Sequence, residues 1–178
     1  MIIIFGPPGA GKSIQGQMLA ARMGWRWLSA GQLLRDQRDP ELLSIMQTGE
    51  LVPHEHTNRI MNEAIVRAEG IQVILDGFPR AVAQAEWLVN THGHAVHLAL
   101  FLDVPKEEVV KRLSIRGRSD DDPEAIEQRY EIYEQETQPI IDYLKSHGIP
   151  VEAVNGVGSV GEIHDRIVTT LTEYGLTT

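Results

Sequence analysis

The run Met1-Ile-Ile-Ile-Phe5 passes without a break into Gly6-Pro-Pro-Gly-Ala-Gly-Lys12-Ser13, and that junction leaves the chain few folds to choose from. A short apolar run bounded by a turn signal reads as a strand buried on both faces, and residues 15–23 beyond the glycines are compatible with a helix. Strand, GxxxxGK[ST] and helix in that order make a phosphate-binding loop. A polyphosphate needs backbone N–H groups pointing inward around it, and Gly6, Gly9 and Gly11 permit that approach. The following helix adds its positive N-terminal end. Lys12 is placed to reach the β- and γ-phosphates and Ser13 to ligate the accompanying Mg²⁺, so the chain reads as a binder of a nucleoside triphosphate.

Further apolar runs at 71–75, 96–102 and 149–154 alternate with helix-period stretches. This pattern predicts an α/β fold, a P-loop three-layer core in which helices cover both faces of a parallel sheet. Its ligand crevice should lie at the carboxyl ends of the strands. A chain of 178 residues suits one core better than two, so segments that break the rhythm read as insertions into a single domain, 1–178. One is a helical insert, about 29–68, with helices expected over 31–38, 40–48 and 53–68 and no clear strand. Trp25 and Trp27, which lead into it, read as packing residues. The other is a polar loop, about 116–122, between a helix over 106–115 and a long helix beginning near Pro123.

A net charge of −9 argues against a nucleic-acid surface, so anion binding must be local. The absence of cysteine excludes disulfides and cysteine-based zinc sites, and leaves oxygen ligands for any metal. No apolar stretch approaches the length of a membrane span, and Ile2 to Phe5 is too short for a signal-peptide core, so a cytoplasmic protein is expected. The His54/His56 and His92/His94 pairs lack acidic or cysteine partners at ligand spacing and read as surface histidines. Six arginines, Arg35, Arg80, Arg112, Arg116, Arg118 and Arg129, stand beside Gly, Asp or helix-start signals. Asp76, at the end of the 71–75 run, has the position of an acid that holds Mg²⁺ directly or through water.

Five segments occur in the order seen in nucleoside monophosphate kinases: GPPGAGK, Leu28-Ser-Ala-Gly-Gln-Leu-Leu-Arg35, Gly49-Glu-Leu-Val-Pro53, Asp76-Gly-Phe-Pro-Arg80 and Gly117-Arg-Ser-Asp-Asp121. The chain resembles adenylate kinase over essentially its whole length, with UMP/CMP kinase as the near alternative. The resemblance implies Mg²⁺-dependent transfer from ATP to AMP, giving two ADP, by a monomer with an acceptor-binding insert and a short lid. It assigns Lys12, Arg80, Arg118 and Arg129 to catalysis. It assigns Gly6, Gly9, Ala10, Gly11, Lys12, Ser13, Arg112, Arg116 and Gly158 to ATP. It gives Ser29, Ala30, Arg35, Val52, Gly77, Arg80, Gln84, Arg118 and Arg129 to AMP, and Ser13 and Asp76 to the metal.

The chemistry independently favours arginine, whose planar, permanently charged fork suits two mutually repelling phosphates better than lysine. Catalysis of phosphoryl transfer is mostly alignment and charge neutralisation. Three departures from the family pattern stand out. Ser13-Ile14 replaces the usual Gly-Thr, Ala30 replaces a Thr common in adenylate kinases, and only Gly117 separates Arg116 from Arg118. A different reading is a nucleotide-sensing switch without acceptor kinase activity.

Overall fold

The structure is a computed structural model that describes residues 1–116 and 122–177, the side chain of Arg116 excepted. Five strands form one all-parallel sheet: β1 (Ile2–Phe5), β2 (Arg26–Ser29), β3 (Val73–Asp76), β4 (Leu98–Asp103) and β5 (Val151–Asn155), in the order β2-β3-β1-β4-β5. The central strand β1 is buried throughout because both of its faces are covered. Period-two alternation then divides its side chains: Ile2 and Ile4 join one apolar cluster, Ile3 and Phe5 the other.

The first cluster is completed by Leu19 of α1 (Lys12–Met23), Val109 and Leu113 of α6 (Lys106–Arg116), and Ile163, Ile167 and Leu171 of α8 (Val160–Glu173). The second takes Met61 and Ile65 of α4 (His54–Arg67), Ala85 and Leu88 of α5 (Val82–His92), and Ile140 and Leu144 of α7 (Pro123–Ser146). Three layers result, as the alternation of strand and helix patterns predicts. Two further helices, α2 (Ala30–Asp36) and α3 (Pro40–Thr48), precede α4. Between them these three helices hold a small apolar cluster of their own, Leu34, Leu42, Val52 and Ile60.

The insert holds α2, α3 and α4 and no strand beyond Ser29, as expected, but β2 just ahead of it is an addition, since the sequence reading places no apolar run over 26–29. It is an edge strand of four residues paired only with β3, and its exposed Arg26 and half-buried Trp27 break the apolar signal. Strands β3, β4 and β5 each begin two residues later than their apolar runs. Ile71, for example, is 45 % exposed in the turn before β3. The helix starts follow local chemistry: Asp39 and Asp122 accept from Glu41 and Glu124 N–H, both at 2.9 Å, each ahead of a proline in the first turn. Among the described residues no helix is long and apolar enough to cross a membrane.

Candidate active site

Above the carboxyl ends of the strands lies a cavity of about 370 Å³. The loop after β1 forms one wall. Gly6 has φ +146°, and a Cβ there would lie 2.6 Å from the Leu102 carbonyl oxygen, so the chain can pass β4 only as glycine. Gly11, at φ 91°, begins α1 with no side-chain cap, which leaves the amides of the first turn facing the cavity wall that Lys12, Ser13 and Ile14 form. The Lys12 ammonium curls back over its own loop and donates to the carbonyls of Gly6 (2.9 Å) and Pro7 (2.7 Å).

Across the sheet, parallel pairing sets Ile4 of β1 beside Asp76 of β3. Asp76 is 2 % exposed, and its Oδ2 accepts from the Ser13 hydroxyl at 2.7 Å and from the Trp27 indole N–H at 3.1 Å. Only oxygen atoms are offered here. Among the described residues no group of three or more His, Cys, Asp or Glu could hold a metal. A hydroxyl and one carboxylate beside a phosphate cradle fit Mg²⁺, which keeps several waters and takes its remaining oxygens from phosphate.

The arginines approach from separate elements. Arg35 of α2 and Arg80, after β3, converge above Gly31, where one point lies 3.4 Å from Arg35 Nη1 and 3.8 Å from Arg80 Nη2. Arg80 is braced by its own turn, its Nε donating to the Gly77 carbonyl at 2.8 Å. Arg129 reaches the cavity from α7, its Nε donating to Ala125 O at 3.2 Å. Arg112 of α6 is tied on three sides: to Glu108 Oε1 at 2.8 Å, to Gly156 O at 2.9 Å and to Ala10 O at 3.4 Å. In a chain of net charge −9, Lys12, Arg35, Arg80, Arg112 and Arg129 thus line one cavity with Asp76 and Glu50 as its acids. Positive potential is concentrated there.

A narrow cleft of about 30 Å³ adjoins it, lined by Ala30, Val52, Thr57 and Gln84 with Gly77 and Arg80. Gln84 is 2 % exposed; its Oε1 accepts the Arg80 N–H at 2.8 Å, and its Nε2 lies 3.4 Å from His54 Nδ1. Ser29, at the end of β2, spends its hydroxyl on capping α2 through the Gln32 N–H at 3.4 Å.

Residues 4–149 match the family model described as "Adenylate kinase". Similar curated proteins carry that name too. One from Thermus thermophilus is 35 % identical over 93 % of this chain and 94 % of its own length. Those from Deinococcus deserti and a Synechococcus species are each 37 % identical, over 94 % and 96 % of this chain and 94 % and 97 % of their own lengths. The chain belongs to the adenylate kinase family. Its reaction is phosphate transfer from ATP to AMP.

Against that family assignment, most of the residues singled out in the sequence surround the two cavities. Ala10 is fully buried and faces Arg112 through its carbonyl only. Gly158 lines neither cavity and sits near Glu162 and Arg166, whereas Gly156 is the residue tied to Arg112. Arg118 lies outside the described residues, as does the side chain of Arg116. Among the lining residues, Met46, Ile132 and Tyr133 escape a motif reading, while Ile14 and Glu50 stand in segments singled out above without having been given a role. Of these, Ile132 and Tyr133 had a signal, standing three and four positions after Arg129 on one helix face. Burial pushes the Tyr133 phenol well above its ordinary range, so it stays un-ionised. Trp27 has no motif at all, yet it touches Asp76.

Proposed function

We propose that this adenylate kinase carries out transfer inside the larger cavity, with ATP on the β1–α1 loop and AMP over α2. The observation that carries the reading is the convergence of Arg35 and Arg80 above Gly31, apart from the Lys12 loop, which gives a second phosphate grip that a simple nucleotide switch does not need. Lys12 and the first-turn amides of α1 neutralise the β- and γ-phosphates, and Arg129 with Arg118 clamps the group in flight. Arg112, held edge-on by three acceptors, presents its plane to the ATP base, and the family resemblance assigns Arg116 to ATP as well. Gln84 reads the acceptor base in the cleft.

Ser13 and Asp76 would hold Mg²⁺, which would supply positive charge to offset that of the phosphates. The α2–α4 insert, with its separate apolar cluster, supplies the AMP side, and 116–122 serves as the lid. The state proposed is a monomer in a reducing cytoplasm, with which the absence of cysteine is consistent. The test is ADP formation from ATP with and without AMP. Production that requires AMP supports the reading; a slow rate indifferent to AMP overturns it in favour of a switch.

A further inference from the structure

Trp27 stands on the edge strand β2, opposite Ile74 in register, while Ser29 stands opposite Asp76. Side chains two apart share a face, so Trp27, Ser29, Ile74 and Asp76 all lie on the α1 side of the sheet. The indole runs along that face toward the strand end and donates to Asp76 Oδ2 at 3.1 Å. Its path lies under Gly16, the fifth residue of α1. A Cβ on Gly16 would meet the ring at 2.6 Å (Cδ1) and 2.8 Å (Nε1). Glycine inside a helix is unfavourable by about 1 kcal/mol relative to alanine, and here it leaves a slot that the ring fills.

The two donors on Asp76 differ in kind. The Ser13 hydroxyl has one hydrogen and two lone pairs, so it can serve a cation and the carboxylate together; the indole N–H is a donor only. An aspartate carboxylate turns broadly about its last torsion. We propose that Trp27 is a positioning residue for the metal-side carboxylate: by holding Asp76 Oδ2 it fixes how that carboxylate faces the phosphate cradle, and so sets the Mg²⁺ requirement of nucleotide binding. Residues that orient a ligating group from behind typically change metal affinity or activity by about 10- to 100-fold when lost. The inference rests on the reading of Asp76 given above.

The experiment is calorimetric titration of ATP at a series of Mg²⁺ concentrations, with Trp27→Phe, Gly16→Ala, Asp76→Asn and the Trp27→Phe/Asp76→Asn pair. Trp27→Phe keeps an aromatic side chain, though a smaller one, and loses the N–H. It should raise the Mg²⁺ concentration for half-maximal tightening about 10-fold, leave metal-free ATP affinity unchanged, and add nothing once Asp76 is Asn. An unchanged Mg²⁺ profile in Trp27→Phe, or an equal effect in the Asp76→Asn background, overturns the inference. If Asp76→Asn itself leaves the profile unchanged, the metal-side reading of Asp76 fails first.

Proton–nitrogen NMR of the indole groups gives a readout that does not depend on Trp27→Phe folding. The Trp27 Nε1 resonance should move on Asp76→Asn and on adding Mg²⁺ with ATP, more than those of Trp25 and Trp87. In Gly16→Ala it should move together with a raised Mg²⁺ requirement. A resonance that moves while the requirement stays put, or one that ignores Asp76→Asn, is the contrary result.

Discussion

Gln84→Ala separates the structural duty of one buried carboxamide from the base-reading duty proposed for it. The first is structural: Oε1 accepts the Arg80 N–H at 2.8 Å, and the side chain is 2 % exposed, so truncation strands that amide. Leaving this part-buried donor unsatisfied costs about 1–3 kcal/mol, and at about 2–4 °C per kcal/mol for a chain of this size the melting temperature should fall by roughly 2–12 °C. The second is selective, since a carboxamide sets a donor beside an acceptor and matches the edge of adenine. Its loss should remove about 1–3 kcal/mol of preference, a roughly 5- to 150-fold fall in the ratio of kcat/KM for AMP over CMP. The assay is coupled ADP formation with each acceptor well below its KM, beside a thermal melt. A melt that falls while the AMP-to-CMP ratio stays put would refute the base-reading role and leave Gln84 only as the brace of Arg80.

Three other outcomes follow from the same geometry. Arg129→Ala should lower kcat by at least about 10²-fold with little change in melting temperature if, as proposed, its guanidinium meets charge that develops during transfer; near-normal turnover removes it from the clamp. Ser13→Ala should raise the Mg²⁺ needed for half-maximal rate, and an unchanged Mg²⁺ profile would leave the metal to Asp76 and water alone. His164, buried with Nδ1 3.1 Å from Gln15 Oε1, is held below its ordinary pKa by burial first and by the Arg22 charge second. The unfolded chain therefore binds the extra proton, so this contribution is present above about pH 6.5 and is lost as pH falls toward the lowered folded value. His164→Gln should flatten the fall in melting temperature between about pH 7 and pH 5, and an equal slope in both proteins would contradict the assignment.

The sheet was legible where both faces of a strand are buried. β1 and β4 announce themselves as apolar runs, and Gly6 at the start of the loop after β1 is dictated by a backbone that must pass Leu102. β2 was not, since an edge strand with an exposed Arg26 has little apolar surface to advertise. Arg35, Arg80 and Gln84 could be found from motif spacing, yet motifs say nothing of what braces them. The Gly77 carbonyl under Arg80 and the Arg80 amide on Gln84 are matters of turn geometry. Trp27 shows the limit most clearly. In sequence it is one of two tryptophans near the insert, and only the register of β2 on β3 carries its N–H to Asp76.

The most direct test of the account is the acceptor profile of the unaltered protein: kcat/KM for AMP, CMP, UMP and GMP at fixed Mg²⁺ and ATP. The cleft holding Gln84 beside Ala30, Val52 and Thr57 predicts that AMP is used best, and that ADP forms only when an acceptor is present. CMP or UMP used as efficiently as AMP would contradict it.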